Sequence, residues 1–368
     1  MPVASLANAR VVLPDGVRQD ALHIAGGTIA AAPGPGDVLD LGGRYVVPGF
    51  VDMHVHGGAG ASYQNPAEAR RAAEFHLAHG TTTTIASLVT GTPDELASAV
   101  AGLADLAADG VIAGVHLEGP YLSRDRCGAH DPALLRPPDP AEFGRLVRVG
   151  RGHVRMITLA PELPGALDLV RAAADAGVIA AVGHTDGPGA TARAAFDAGA
   201  RVATHLFNAM RPLHHREGGP IAAALTDPRV TVELINDGVH VEPAVARLAF
   251  AATPRVALIT DAMAAAGMGD GDYRLGVMDV EVRGGRATLA GGTSIAGSTI
   301  TMADAFRQAV TEAGLPIERA AEAASLTPAR ALGLDSRIGS LDPGKDADLV
   351  VLDDDLRVSW VMRKGRRI

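Results

Sequence analysis

Residues 48–57 read PGFVDMHVHG, and this stretch decides the fold. Phe50–His56 is an apolar run of β type that ends in two histidines two positions apart. Residues i and i+2 of a strand point to the same face, so His54 and His56 project together from one strand end. Seven similar runs follow: Thr82–Leu88, Val111–Leu117, Val154–Leu159, Val178–His184, Arg201–His205, Thr231–Ile235 and Val256–Thr260. Ala-rich segments with helical spacing separate them, among them Pro66–His79, Pro93–Ala108, Pro164–Ala176 and Pro188–Ala198. Several carry Pro near the first turn and Gly just past the end, the usual punctuation of helices. Continuously apolar strands alternating with helices make a parallel sheet covered on both faces. Eight such units over about 210 residues predict a (β/α)8 TIM barrel. An open doubly wound sheet is the alternative, but no Gly-rich dinucleotide fingerprint follows the first strand.

Outside the barrel the chain reads as β structure. Val11–Leu13 precedes the turn Pro14-Asp15-Gly16, and Ala21–Ile24 leads into Ala25-Gly26-Gly27-Thr28. After the eighth run, Tyr273–Leu289 reads as a hairpin turning at Gly284-Gly285. Helical stretches follow at Thr299–Ala313 and Pro316–Leu332, then strands at Asp348–Leu352 and Arg357–Met362. The expected organisation is a barrel over residues 48–337. Residues 1–47 and 338–368 then pack together as a small β-sandwich domain, since domain termini are often neighbours.

Composition narrows the function class. The 368 residues are 47% hydrophobic and 20% charged, with a formal charge of −9. That balance argues against a general nucleic-acid binder but leaves room for a local basic pocket. The single cysteine, Cys127, excludes an intrachain disulfide framework and fits a reducing compartment. The N-terminus lacks the apolar core of a signal peptide, and no run of 18 apolar residues exists to span a membrane. A cytoplasmic protein is expected.

The remaining strand ends carry the chemistry. The third ends at Glu118, the fifth at His184, the sixth at His205 and the eighth beside Asp261. Barrel active sites lie at this C-terminal end, and carboxylates are seldom buried unless paired or bound to a metal. Glu118, His184 and His205 supply three ligands and leave a position for water. Asp261 is placed to move a proton between water and a leaving amine. Imidazole and carboxylate suit Zn2+ first, with Fe2+, Mn2+ or Co2+ as alternatives. His116, two positions before Glu118, reads either as a support for this site or as a core histidine. His23, His76, His79 and His153 read as solvated or interface residues, and His214 and His215 as loop residues.

Several of these elements resemble a known family. PGFVDMHVHG, GHT, THLFN, TDA and the tail GSLDPGKDADLVVLD resemble the amidohydrolase superfamily. HLEGPYLS, GAHDP, THLFNAM, REGG, NDGVH, TDAM and AGSTITM resemble, more closely, the N-acetylglucosamine-6-phosphate deacetylase family. The resemblance runs from Val11 to the C-terminus. It implies hydrolysis of the N-acetyl group of a phosphosugar to glucosamine-6-phosphate and acetate. It implies Glu118, His184 and His205 as metal ligands, with Glu118 where many relatives use a modified lysine. Some members lack the paired histidines and bind one metal. This chain keeps His54 and His56, which implies a second ion. Asp261 matches the catalytic acid/base, and His130 a substrate-contacting histidine. His240, Asn208 and Ala209 match substrate contacts. Arg216 resembles a phosphate-binding arginine that reaches across a homodimer into the neighbouring site.

Two rivals remain at this level. A cyclic-amide hydrolase would share the histidines but gives no reason for HLEGP, Arg216 and His240 together. A catalytically silent barrel would lose metal ligands, whereas every position is intact here.

Overall fold

The computed structural model describes residues 3–368. The eight barrel strands are Phe50–Val55, Thr81–Leu88, Gly114–Glu118, Val154–Leu159, Ile179–Val182, Val202–Ala203, Thr231–Ile235 and Val256–Ile259. Parallel ladders join them in chain order. The eighth strand then meets the first. Asp261 N donates to His54 O at 2.9 Å, and the Thr260 hydroxyl donates to Asp52 Oδ2 at 2.6 Å. Val51, Met53, Ile85, Met156, Ala181, Val202, Ile235 and Ile259 fill the interior.

The helices start where side chains satisfy free backbone N–H groups. Thr92 and Glu95 form a capping box before Pro93–Ala108, and Thr301 and Asp304 form another before Met302–Thr311. Asn65 and Asp139 cap Pro66–Ala78 and Pro140–Val149. Each such cap contributes about 1 kcal/mol.

Both chain termini build one eight-stranded sheet. Its strands are Val3–Leu13, Gly16–Ala25, Thr28–Ala30, Asp37–Asp40, Tyr45–Pro48, Leu349–Leu352, Val358–Arg363 and Arg366–Arg367. Tyr45–Pro48 pairs antiparallel with Leu349–Leu352, so the first and last segments meet. These two strands are apolar throughout because both of their faces are covered. Val46, Leu349 and Val351 face the small core, whereas Val47, Val350 and Leu352 join the barrel core.

The structure departs from the sequence reading in four places. The fifth and sixth barrel strands stop earlier, because the chain turns into left-handed backbone at His184 (φ 48°) and His205 (φ 26°). The segment after the eighth strand is a three-stranded meander, Gly271–Leu275, Met278–Arg283 and Arg286–Leu289. Its extra turn is made by Gly276 at φ +57°. The stretch expected as one helix from Pro316 contains a π-helical turn at Glu322–Leu326; the turn precedes Pro328, which has no N–H to donate. Finally, His76 is fully buried, because its helix packs that face on Gly57-Gly58, and its Nε2–H donates to Gly57 O at 2.8 Å. Among the described residues, no helix is long and apolar enough to cross a membrane.

Candidate active site

Two triads of ligand atoms meet at the C-terminal mouth of the barrel. His54, His56 and Asp261 form one, and Glu118, His184 and His205 the other. All six residues are buried. Glu118 joins the triads. Its Oε1 lies 3.0 Å from both His184 Nε2 and His205 Nε2, and its Oε2 lies 3.3 Å from His56 Nε2. His184 Nε2 and His205 Nε2 are 3.0 Å apart, and His54 Nε2 and His56 Nε2 are 3.2 Å apart. Asp261 Oδ1 is 3.1 Å from His56 Nε2.

The outer nitrogens fix the tautomers. His184 Nδ1–H donates to Arg126 O at 2.9 Å, and His56 Nδ1–H to Ser87 O at 3.2 Å. A carbonyl only accepts, so each Nδ1 carries the proton and a neutral ring offers its Nε2 lone pair inward. Lone pairs and carboxylate oxygens converging in a buried space fit a divalent cation. The backbone is shaped for this convergence. His184, His205 and Asp261 (φ 49°) all sit in the left-handed region, which non-glycine residues rarely adopt outside sites that use it. Gly128 comes so close to His184 that an added Cβ would stand 3.1 Å from the imidazole Cε1.

His130 has the opposite polarity. Thr90 N donates to its Nδ1 at 3.2 Å, so the neutral ring carries its proton on Nε2, which donates to Glu118 Oε2 at 3.2 Å. Burial lowers its pKa and favours that neutral form. His130 is therefore a hydrogen-bond donor and not a ligand. Burial pushes the Asp261 carboxyl up, but its contacts with the His54 and His56 imidazoles outweigh it and hold Asp261 at about 2. Glu118 is held well below the usual range, again against burial, by His54 and His130. Burial lowers His56, yet Asp261 and Glu118 raise it to about 9; the neutral ring is the form that a bound cation selects by taking the Nε2 lone pair in the proton's place. The carboxylates thus demand positive charge nearby.

Above the triads is a cavity of about 350 Å³. Its walls include His130, Asn208, Ala209 and His240 of the expected substrate contacts. His240 Nδ1–H donates to Asp237 Oδ2 at 2.7 Å. Burial raises Asp237, but the His240 hydrogen bond lowers it below its ordinary value. Arg216 is elsewhere: within one chain it is exposed and donates to His215 Nε2 at 3.0 Å. His116 is a buried core histidine, bonded to Ser87 Oγ at 2.9 Å and Thr158 Oγ1 at 2.8 Å, with its ring edge-on to His54.

Sequence reasoning missed several of these partners. Glu233 interrupts the apolar run Thr231–Ile235 and is fully buried beside His54. The rule applied to the strand ends, that buried carboxylates need a partner, would have found it. Asp237 and Thr90 stand in loops and carry no such signal. Arg286, from the meander, lines the cavity too; the single hairpin expected there did not place it at the site.

Fold and site together define a metal-dependent barrel hydrolase. A profile of the Amidohydrolase family matches residues 45–368, and the chain belongs to that family. It is similar to an N-acetyl-D-glucosamine-6-phosphate deacetylase mutant from Mycobacterium smegmatis, solved in complex with N-acetyl-D-glucosamine-6-phosphate. That similarity is 49% identity over 100% of this chain and 99% of the other, at a TM-score of 0.95. An N-acetylgalactosamine-6-phosphate deacetylase from Escherichia coli O157:H7 is 39% identical over 94% of this chain and 93% of its own length. An N-acetylglucosamine-6-phosphate deacetylase from Bos taurus is 37% identical over 100% of this chain and 96% of its own.

Proposed function

We propose that the chain hydrolyses the N-acetyl group of N-acetylglucosamine-6-phosphate, giving glucosamine-6-phosphate and acetate. The observation that carries this reading is the meeting of two ligand triads at Glu118, with Asp261 and the donor His130 on the same cavity. The similarity to a deacetylase solved with this phosphosugar supports the choice of substrate.

Glu118, His184 and His205 would hold one divalent ion, and His54, His56 and Asp261 a second. Zn2+ suits these donors first, with Fe2+, Mn2+ or Co2+ as alternatives. A bound ion polarises the amide carbonyl and lowers the pKa of water. Asp261, ionised at neutral pH, accepts a proton from the attacking water and returns it to the leaving amine. His130 would turn its Nε2–H from Glu118 Oε2 to the oxygen that gains charge when substrate is bound. His240, backed by Asp237, faces the phosphate, and Asn208 and Ala209 position the sugar. Arg216 completes the phosphate site from the neighbouring subunit of a homodimer. Its exposure, its lack of a carboxylate partner among the described residues and the exposed Leu213 nearby support that role. The single cysteine supports a cytoplasmic location.

The test is acetate release from N-acetylglucosamine-6-phosphate and from unphosphorylated N-acetylglucosamine, using protein of measured metal content. Fast release from the phosphorylated sugar alone is expected. No release from either by metal-loaded protein overturns the reading. The similarity to the galactosamine-6-phosphate enzyme favours a second reading, in which the C4 epimer is the better substrate. The same assay on N-acetylgalactosamine-6-phosphate decides it.

A further inference from the structure

Glu233 has no role in the chemistry described so far, yet it is 0% exposed in the middle of an apolar strand. Burying an ionised carboxylate is costly unless donors and positive charge surround it. Its Oε2 lies 3.1 Å from His54 Nδ1 and accepts from His205 N at 3.2 Å. Its Oε1 has no hydrogen-bond partner among the described residues. Salt bridges to Arg or Lys are absent among the described residues, so its stabilisation comes from these two contacts and from whatever charge lies beyond them.

We propose that Glu233 is the positioning residue of the second metal site: it holds His54 in the tautomer that offers Nε2 to a divalent cation. Were the His54 proton on Nε2, the Nδ1 lone pair would face a carboxylate oxygen at 3.1 Å in a dry interior. With the proton on Nδ1, that repulsion becomes a charge-assisted hydrogen bond, and Nε2 is freed toward His56 and Asp261. A carboxylate behind an imidazole also makes the imidazole a more basic ligand. Because the same oxygen holds His205 N, one side chain ties a ligand of each triad to a common point. Glu233 brings to three, with Glu118 and Asp261, the carboxylates clustered here, so the site as a whole favours bound cations.

This inference rests on the site being metal-binding and not on which amide is cleaved. The test counts metal per chain by mass spectrometry and titrates Co2+ into stripped protein. It uses the wild type, Glu233→Ala, Glu233→Gln, His54→Asn and the Glu233→Ala/His54→Asn double variant. Glu233→Gln keeps the shape and an acceptor oxygen, so a folded variant is available if the alanine form is unstable. Two equivalents are expected in the wild type and one in Glu233→Ala, His54→Asn and the double variant. In Glu233→Gln the second Co2+ should bind roughly 10- to 100-fold more weakly. The double variant losing nothing beyond His54→Asn shows that Glu233 acts through His54. Two tight equivalents in both Glu233 variants overturn the proposal, as does loss of both ions from Glu233→Gln. One equivalent in the wild type also overturns it, by removing the second site. A wild type that binds none overturns the metal reading itself, which separates that failure from this one.

Discussion

At the residue scale, single atoms decide what each group does. Asp261 is a ligand candidate and the proposed proton carrier at once, and its left-handed backbone sets its carboxylate beside His56 at the strand end. Asp261→Asn keeps the size and removes the charge. We expect it to retain the ion at Glu118, His184 and His205 and to lose about 10²- to 10⁴-fold in kcat. Metal content and acetate release on the same sample check this, and near-normal kcat would remove Asp261 from the proton path. His76 gives a prediction of another kind. Burial depresses its pKa from 6.5 to about 4, so the unfolded chain takes up this proton before the folded one. The stability it contributes is fully present above pH 6.5. It is lost as pH falls from 6.5 through about 4, by about 3 kcal/mol in all. Urea unfolding at pH 7 and pH 5 should show a smaller loss of stability in His76→Gln than in the wild type. An equal loss would place the acid sensitivity elsewhere.

At the scale of elements, the barrel is closed by a polar seam. Asp52 is fully buried, and burial raises its pKa to about 7 against the hydrogen bonds from Thr260 and His54. Thr260→Val keeps the shape of the side chain and removes the donor, leaving Asp52 Oδ2 without its 2.6 Å partner. We expect a destabilisation of about 1–3 kcal/mol at neutral pH, read as a lower urea midpoint with an unchanged slope. The seam also shows what a sequence can and cannot reveal. All eight barrel strands were legible because each carries a short run dominated by apolar or β-branched residues, and their order followed from the helices between them. The strand ends were legible because His, Glu and Asp stand out where apolar runs stop. The early ends of the fifth and sixth strands were not, since left-handed backbone at His184 and His205 has no residue signature when it is imposed by the site. The hydrogen bonds of Asp52 with Thr260 and of Glu233 with His54 join positions far apart in sequence, and periodicity carries no information about such pairs. The meander was half legible: Gly284-Gly285 signals a turn, whereas Gly276 precedes Val277 and Met278, which read as continuing strand.

At the scale of the whole molecule, the proposed phosphate contacts are divided between the cavity and the surface. One chain lines the cavity with His240, already bonded to Asp237, and with Arg286 from the meander, while Arg216 lies on an exposed segment away from it. A guanidinium that binds phosphate bidentately has no work to do where Arg216 stands, unless another molecule brings a site to it. A symmetric dimer does this twice, because a two-fold interface gives each subunit the same contact. The idea has a test that needs no structure of the dimer. Arg216→Ala should raise KM for the phosphorylated sugar and leave unphosphorylated sugar unaffected, while Asp261→Asn should abolish turnover. In a mixed dimer, the Arg216→Ala chain contributes an intact Asp261, and the Asp261→Asn chain contributes an intact Arg216. One site per mixed dimer is then whole. Random pairing of equal amounts gives about a quarter of the sites wild-type character and leaves about another quarter, in Arg216→Ala homodimers, with the raised KM. Co-refolded protein should then show a component of wild-type KM at roughly a quarter of the wild-type kcat beside the weaker one. If Arg216 served its own chain, every site would lack either Arg216 or Asp261, and the mixture would keep the raised KM of the arginine variant. Sedimentation of the wild type as a monomer would exclude the arrangement outright.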